Sequence, residues 1–384
     1  MSTLKKWIIS ISTSILLLSI IPIEVDANIQ VSAQSSILIE QQSGRIIFEK
    51  DSNTKRRIAS ITKIMTAILA VESEKMEEIV TVSDRAVGTE GSTIYLKQGQ
   101  KMKLEDLVYG LLLRSGNDAA VAIAEYVGGS VEGFVFLMNQ KASGIGMTNT
   151  EFANPHGLDD SENHYSTAYD MALLTRYAMQ NEKFKEIFGT KSYRVPNPDE
   201  KWDTVWKNKN RLLTGLYSYT TGGKTGFTKR AKRTLVSTAT KDGLDLIAVT
   251  LNDPQDWNDH IFMYNSAFKL YEMTKIVEEG TLNGIEDPFY ENNVFLERDF
   301  LYPLTNEEKK SVRLSISLLT PNKEEWKNLN NIPTIVGKIS VNLENETIGE
   351  LPVYFENGTV QKPKKSWWNL FRNLFTSIIG VTNG

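Results

Sequence analysis

The chain of 384 residues has no cysteine, so disulfides, thiolate nucleophiles and cysteine-rich zinc sites are excluded. It has only three histidines, His156, His164 and His260, and no His-Glu-x-x-His helix that would carry a catalytic zinc. There is no Gly-x-Ser-x-Gly elbow, which removes the α/β-hydrolase arrangement of a serine nucleophile. No run or face is strongly basic, and the net charge of -4 comes from 43 basic and 47 acidic residues, so nucleic acid is not an expected partner. Nor is a metal or organic cofactor expected. Before the C-terminal segment, the longest apolar run lies at the N-terminus and falls short of the roughly 20 residues that span a bilayer.

That run has a meaning of its own. Lys5 and Lys6 precede an apolar stretch from Trp7 to Ile21, Pro22 breaks it, and Val25-Asp26-Ala27 offers a small residue for cleavage. Basic start, apolar middle and small-residue end are the layout of a secretory signal, read here as residues 1–27. The opposite reading, an uncleaved anchor, suits so short a run less well. The protein is therefore expected to be exported.

The organisation that follows is mixed α/β. Ser36–Glu40 and Arg45–Glu49 flank Gln41-Gln42-Ser43-Gly44 and read as a hairpin. Ile61–Val71, Leu104–Arg114 and Ala119–Val127 have the apolar spacing of buried helices. Asn117 or Asp118 is the expected cap of the third, and Gly128-Gly129 its end. Tyr169–Met179 reads as a helix opened by Ser166 or Thr167, and Asp170 as a structural anchor near its start. Thr234–Thr240 and Leu244–Leu251 read as strands about Lys241-Asp242-Gly243, and Asp259–Met273 as a helix returning over the sheet. Strands at both ends with helices between them predict a sheet covered by helices on its faces. This catalytic unit is placed at residues 28–278.

From there the period changes. Val312, Leu314, Ile316 and Leu318 alternate with Arg313, Ser315 and Ser317, and Ile335–Leu343 and Thr347–Phe355 repeat the pattern about Glu344-Asn345-Glu346. A small β-rich domain is expected at 279–358. In 359–384, Lys362, Lys364 and Lys365 precede Trp367, Trp368, Leu370, Phe371, Leu374, Phe375, Ile378 and Ile379, with polar residues on the other face. This is an amphipathic helix suited to lying in a membrane surface, its tandem Trp beside Lys at headgroup level. A core helix or an oligomer contact is the competing reading.

Three short motifs occur in order: Ser60-Ile61-Thr62-Lys63, Ser115-Gly116-Asn117 and Lys224-Thr225-Gly226. Each alone is weak. Ser-x-x-Lys also starts at Ser2, Ser52 and Ser266, and Ser-x-Asn at Ser161 and Ser340. Context separates them. Ser60 opens an apolar helix, so Lys63 stands one turn along on the same face. Ser115 lies between two buried helices, and Lys224 sits on a strand with few bulky residues, where a substrate backbone can lie alongside.

The chemistry asks for these residue types. Ser60 as nucleophile needs a base. Lys63 serves only when neutral, and free lysine titrates near ~10.4, so burial and a second cation must lower it. Lys224 can be that cation while attracting a substrate carboxylate, with Thr225 adding a hydrogen bond. Ser115 is placed to pass a proton to a leaving amine, and Asn117 to orient Lys63 or a substrate amide. The backbone N–H groups of Ser60 and Phe227, the latter just past Gly226, form the expected oxyanion hole. His156, in Asn154-Pro155-His156-Gly157, reads as a loop-structuring residue.

On Arg57–Ala67, Arg114–Ala120, Asn154–Leu158, Ser166–Ala172 and Gly223–Gly226 the chain resembles the low-molecular-mass penicillin-binding D-alanyl-D-alanine carboxypeptidases. The likeness runs over nearly the whole chain and is greatest to the sporulation-specific members of spore-forming bacilli, which act on cortex peptidoglycan. The resemblance implies a β-lactamase/transpeptidase-like catalytic domain. It also implies removal of the terminal D-alanine from peptidoglycan stem peptides, covalent inhibition by β-lactam antibiotics, and a place on the outer face of the cytoplasmic or forespore membrane. It puts the nucleophile on Ser60, the proton acceptor on Lys63, the second serine on Ser115 and the substrate-binding lysine on Lys224. Many members of the family carry a carboxylate-binding arginine just before the strand at Leu246, where this chain has Asp245. Two other functions stay open at this point. One is a β-lactamase-type hydrolase, for which Glu151 near Asn154 is the nearest deacylating carboxylate. The other is a non-catalytic wall-binding protein.

Overall fold

The computed structural model describes residues 29–196, 202–322 and 324–356. The expected signal segment at 1–27 and amphipathic helix at 359–384 fall outside the described residues.

In chain order, the hairpin β1 (Ser35–Glu40) and β2 (Ile46–Lys50) leads to a single 3₁₀ turn, Ala59–Thr62, and helix α1 (Lys63–Glu72). The short pair β3 (Ile79–Thr81) and β4 (Lys101–Lys103) brackets α2 (Asp84–Val87) and a long loop. Then come α3 (Leu104–Tyr109), α4 (Asn117–Gly128), α5 (Val131–Gly144), α6 (Ala168–Ala178) and α7 (Glu182–Phe188). A hairpin β5 (Ser192–Val195) and β6 (Thr204–Lys207) precedes the strands β7 (Thr220–Thr228), β8 (Lys232–Lys241) and β9 (Leu244–Leu251), and α8 (Asp256–Leu270).

The main sheet is antiparallel in the order β2-β1-β9-β8-β7. The first and last strands of this unit thus meet at the β1–β9 pair, where Ile37 faces Val249. Helices α6 and α8 cover the sheet, α6 packing on β1 and β9 and α8 on β8 and β9, as the sequence pattern implied. Ile37, Ile64, Ile68, Leu107, Leu111, Ile123, Met171, Val236 and Val249 belong to one continuous buried cluster. Burial of this kind contributes roughly 1.5–3 kcal/mol per large side chain, and it sets the walls from which the polar groups below project. β7 is the edge strand, so among the described residues one side of it has no strand partner, the position at which another extended chain can add.

Three boundaries differ from expectation. The run Leu104–Arg114 is not one helix: after Tyr109 it widens into a π-turn, Gly110–Arg114, ending at Ser115 in the left-handed region, φ 63°. Helix α4 is capped at Gly116, and Asn117 and Asp118 are its first two residues. Their side chains are committed elsewhere. Helix α8 runs from Asp256 to Leu270, not to Met273. The next residues form β10 (Glu272–Val277), whose Thr274, Ile276 and Val277 suit a strand.

β10 pairs with β13 (Phe300–Leu304), after the small pair β11 (Gly280–Thr281) and β12 (Val294–Leu296). The one-turn α9 (Glu308–Ser311) leads to β14 (Val312–Leu318), β15 (Ile335–Leu343) and β16 (Glu346–Phe355). Their sheet has the order β11-β12-β16-β15-β14 around a separate apolar cluster containing Val294, Val336, Val341 and Val353. At the joint between the two sheets, the Arg45 guanidinium lies 5.0 Å from the Tyr271 ring and 5.3 Å from the Tyr302 ring and pairs with Glu308.

Candidate active site

Ser60 sits in the 3₁₀ turn that enters α1, and Lys63 is the first residue of that helix. Their separation by three residues puts both side chains on one face. Lys63 Nζ, completely buried, lies 3.2 Å from Ser60 Oγ, 2.6 Å from Asn117 Oδ1 and 2.7 Å from the His156 carbonyl oxygen. A neutral amine has two N–H bonds and one lone pair. The amide and carbonyl oxygens are acceptors only, so they take the two hydrogens and leave the lone pair facing the Ser60 hydroxyl.

The turn is strained. Ala59, directly before the nucleophile candidate, has φ 50°, a left-handed value that costs a residue with a Cβ roughly 1–2 kcal/mol. A chain of hydrogen bonds holds it there. The Ala153 N–H donates to His164 Nδ1 at 3.1 Å, so the ring hydrogen is on Nε2, which donates to Thr62 Oγ1 at 2.8 Å. Thr62 Oγ1 in turn donates to the Ala59 carbonyl at 2.7 Å. Burial pushes the His164 imidazole down to about 4, keeping it neutral and this direction of donation intact. The loop Asn154-Pro155-His156-Gly157 is pressed against the same turn. A Cβ on Gly157, whose φ is +88°, would stand 1.9 Å from the Ala59 oxygen. His156 is thus a loop residue whose backbone, not its ring, reaches Lys63.

The second motif arrives from the opposite wall. Asn117 is oriented by three bonds: Oδ1 accepts from Lys63, Nδ2 donates to the Glu90 carbonyl at 2.6 Å, and its backbone N–H donates to the Ser92 carbonyl at 2.6 Å. Ser115 Oγ is 3.0 Å from Lys224 Nζ, which also donates to the Thr225 carbonyl at 2.6 Å. Ser115 and Lys224 are both buried. The strand β7 brings Thr225, Gly226 and Phe227 past the turn that carries Ser60. An ideal Cβ on Gly226 would lie 2.9 Å from Ser60 N, so any larger residue would force the strand away. Phe227, next along, has its side chain exposed. The four side chains Ser60, Lys63, Ser115 and Lys224, with Asn117, therefore line one cleft between β7 and the helices.

Its electrostatics are dominated by cations, with the Asp118 carboxylate the smallest of the influences on Lys63 and opposed to the others. Among the described residues no Asp or Glu pairs with Lys63 or Lys224. Burial first, then repulsion from Lys224 and Lys209, holds Lys63 well below the ordinary lysine range. Burial and then Lys209 bring Lys224 down to about 7. Lys209 is the residue the motif reading missed. It follows β6, stays exposed, and donates to Ser92 Oγ at 3.2 Å. No spacing rule singles it out, because it reaches the cleft only through the β5–β6 hairpin.

Three residues weighed from sequence lie elsewhere. Asp245 pairs with Thr240 across the β8–β9 turn and accepts from its hydroxyl, four residues along β9 from Val249. Val249 is itself two strands from Lys224. The Leu246 end of β9 is therefore not a wall of the cleft, and Asp245 has no bearing on carboxylate recognition. Glu151 faces Tyr165 in an isolated bridge and accepts from its hydroxyl at 3.1 Å. Asp170 accepts from Asn149 N and Thr150 Oγ1 at 2.8 and 2.7 Å, an anchoring role.

Residues 23–255 match the family described as D-alanyl-D-alanine carboxypeptidase, and residues 271–361 match the C-terminal domain of penicillin-binding protein 5. Among curated proteins the chain is 39% identical over 249 residues to D-alanyl-D-alanine carboxypeptidase DacF of Bacillus subtilis, covering 62% of this chain and 63% of that protein. It is 35% identical over 275 residues to DacC of Escherichia coli, covering 65% of each. The matched stretch thus spans somewhat under two thirds of these relatives' length. Among solved structures, penicillin binding protein 5 from Haemophilus influenzae superposes with a TM-score of 0.69 at 26% identity, covering 85% of this chain and 97% of that one.

Proposed function

Because the chain belongs to the D-alanyl-D-alanine carboxypeptidase family, matched over more than half its length, we propose that it removes the terminal D-alanine from peptidoglycan pentapeptide stems through an acyl-Ser60 intermediate. The observation that carries this reading is Lys63 Nζ, buried without a carboxylate and bonded to two acceptors, with its lone pair toward Ser60 Oγ.

In this reading the stem lies antiparallel to β7 along its free edge. Lys224, as the ammonium, attracts the terminal carboxylate, with Thr225 and the exposed Lys209 beside it. Lys63 takes the Ser60 proton as Oγ attacks the penultimate carbonyl carbon. The Ser60 and Phe227 N–H groups receive the oxyanion, a contribution of about 10²–10³ in rate for each such donor in other serine enzymes. The C–N bond breaks, the leaving amine takes up the proton that Lys63 removed, relayed through Ser115, and D-alanine departs with Lys63 neutral again. Water then adds to the acyl carbonyl and releases the shortened stem. A β-lactam ring presents the same amide and carboxylate and acylates Ser60 in the same way.

Residues 28–278 carry the chemistry, 279–358 form an accessory β-rich domain, and 359–384 hold the exported protein on the outer face of the cytoplasmic membrane. Action on spore cortex peptidoglycan extends the reading further and rests on the sequence likeness alone. The test is D-alanine release from a pentapeptide stem, with labelled penicillin mapped by peptide digestion. Wild type should release D-alanine and carry the label on Ser60, and Ser60→Ala should do neither. A label on another residue, or rapid penicillin turnover in place of a lasting adduct, sinks the proposal.

A further inference from the structure

Beside the cleft, the loop from Glu90 to Leu96 holds a tyrosine in an unusual way. Tyr95 is 87% exposed and has φ +63°, a left-handed value that a bulky residue rarely adopts. Its neighbours are pinned. The Asp118 carboxylate, itself buried, accepts from Ile94 N at 3.0 Å and Leu96 N at 3.1 Å. Ile94 packs over Gly110 and Gly116, and Leu96 is buried. Strain and a buried carboxylate are thus spent on turning one aromatic ring to solvent, where it gains no packing. Strain retained without a structural return points to function.

The same loop is tied to the catalytic groups. Its Ser92 carbonyl accepts from Asn117 N at 2.6 Å, and Asn117 is bonded to Lys63. Tyr95 is three residues beyond Ser92, at most about 10 Å along the chain. In a pentapeptide stem, four residues separate the bond to be cut from the amino sugar that carries the stem, about 13 Å when extended. The two spans are of the same order, which allows the ring to meet the sugar while the peptide lies in the cleft. Exposed aromatic faces pack on apolar surfaces such as the C–H face of a pyranose, and the phenol adds a hydrogen-bonding tip.

We infer that Tyr95 is a saccharide platform: it stacks on the N-acetylated amino-sugar backbone of the strand whose stem peptide occupies the cleft. This rests on the carboxypeptidase reading for its substrate, but not for its test. With the full chain, Tyr95→Ala should lower kcat/KM for D-alanine release from a disaccharide-linked pentapeptide about 3- to 10-fold, the range of one aromatic contact. It should leave release from the free pentapeptide unchanged, and Tyr95→Trp should restore the loss. An equal change on both substrates, or none on either, overturns the platform. Separately, a peptide-free N-acetylglucosamine–N-acetylmuramic acid disaccharide is titrated against Ser60→Ala and Ser60→Ala/Tyr95→Ala by saturation-transfer NMR. Signal that depends on Tyr95 supports the inference, and absence of such dependence overturns it. If wild type releases D-alanine from neither substrate, the carboxypeptidase reading falls while the saccharide titration still decides the platform.

Discussion

At the scale of single residues, burial and repulsion from neighbouring cations hold the two buried lysines of the cleft, Lys63 and Lys224, below the ordinary lysine range. In the proposed mechanism Lys63 acts as a neutral base, so activity should fall as pH drops through its lowered pKa. Lys224 must be protonated to hold a carboxylate, so in the free enzyme activity also falls as pH rises through about 7. Lys209 lowers both lysines by repulsion. Removing that charge raises both values. Lys209→Gln should therefore move both limbs of the kcat/KM profile to higher pH, and Lys209→Arg should leave them in place. A profile of Lys209→Gln that overlays wild type would show that Lys209 is too well screened by solvent to act on the site.

At the scale of elements, the turn that carries Ser60 is held from behind by a loop, not from within by its helix. The 3₁₀ turn at Ala59–Thr62 has no side-chain cap of its own and depends on the 153–164 segment through His164 and through Gly157. Gly157→Ala places a methyl in the Ala59 carbonyl at a backbone angle that disfavours it. It should cost more than about 2 kcal/mol of stability and slow penicillin acylation of Ser60 at the same time. Gly144→Ala, at the open end of α5 where a Cβ meets nothing within 4 Å, should change neither by comparable amounts. Thermal unfolding and acylation rates of the two variants, measured side by side, check this. A Gly157→Ala protein of native stability and native acylation rate would mean that the loop can retreat from the turn.

For the whole molecule, the three histidines are all buried and all neutral. Burial pushes His156 to about 3, His164 to about 4 and His260 to about 3. His260 is a core residue, its ring nitrogens 2.7 Å from Ser237 Oγ and 3.1 Å from Thr250 Oγ1. The unfolded chain protonates these rings near the ordinary value of ~6.5, while the folded chain does not. The histidine contribution to stability is therefore full above ~6.5 and falls with decreasing pH, by at most about 1.4 kcal/mol per pH unit for each ring, levelling below about 3. Asp253, pushed up to about 6 by burial and Asp259, acts in the opposite sense between about 4 and 6 and offsets roughly one histidine. Denaturant unfolding should thus show a clear loss of stability from pH 7 to pH 5. An unchanged midpoint over that range would contradict the buried neutral state of the rings.

What could be read from the residues alone was what short-range geometry encodes. A spacing of three on a helix puts Ser60 beside Lys63 wherever that helix lies. Period-two alternation identified β14, β15 and β16, and the turn residues identified the β1–β2 hairpin. The order of the three motifs and the residue types they contain pointed to the proposed chemistry. Tertiary structure decided the rest, because the remaining contacts join positions far apart in the chain. Lys224 meets Ser115 across 109 residues, Lys63 meets Asn117 across 54, and Thr62 meets His164 across 102. Asn117 looked like a helix cap because local hydrogen bonding favours it there, yet Lys63 takes its side chain. Lys209 and the end of α8 at Leu270 likewise depend on which strands pair. Pairing is a property of the packed sheets, and no local pattern of side chains states it in advance.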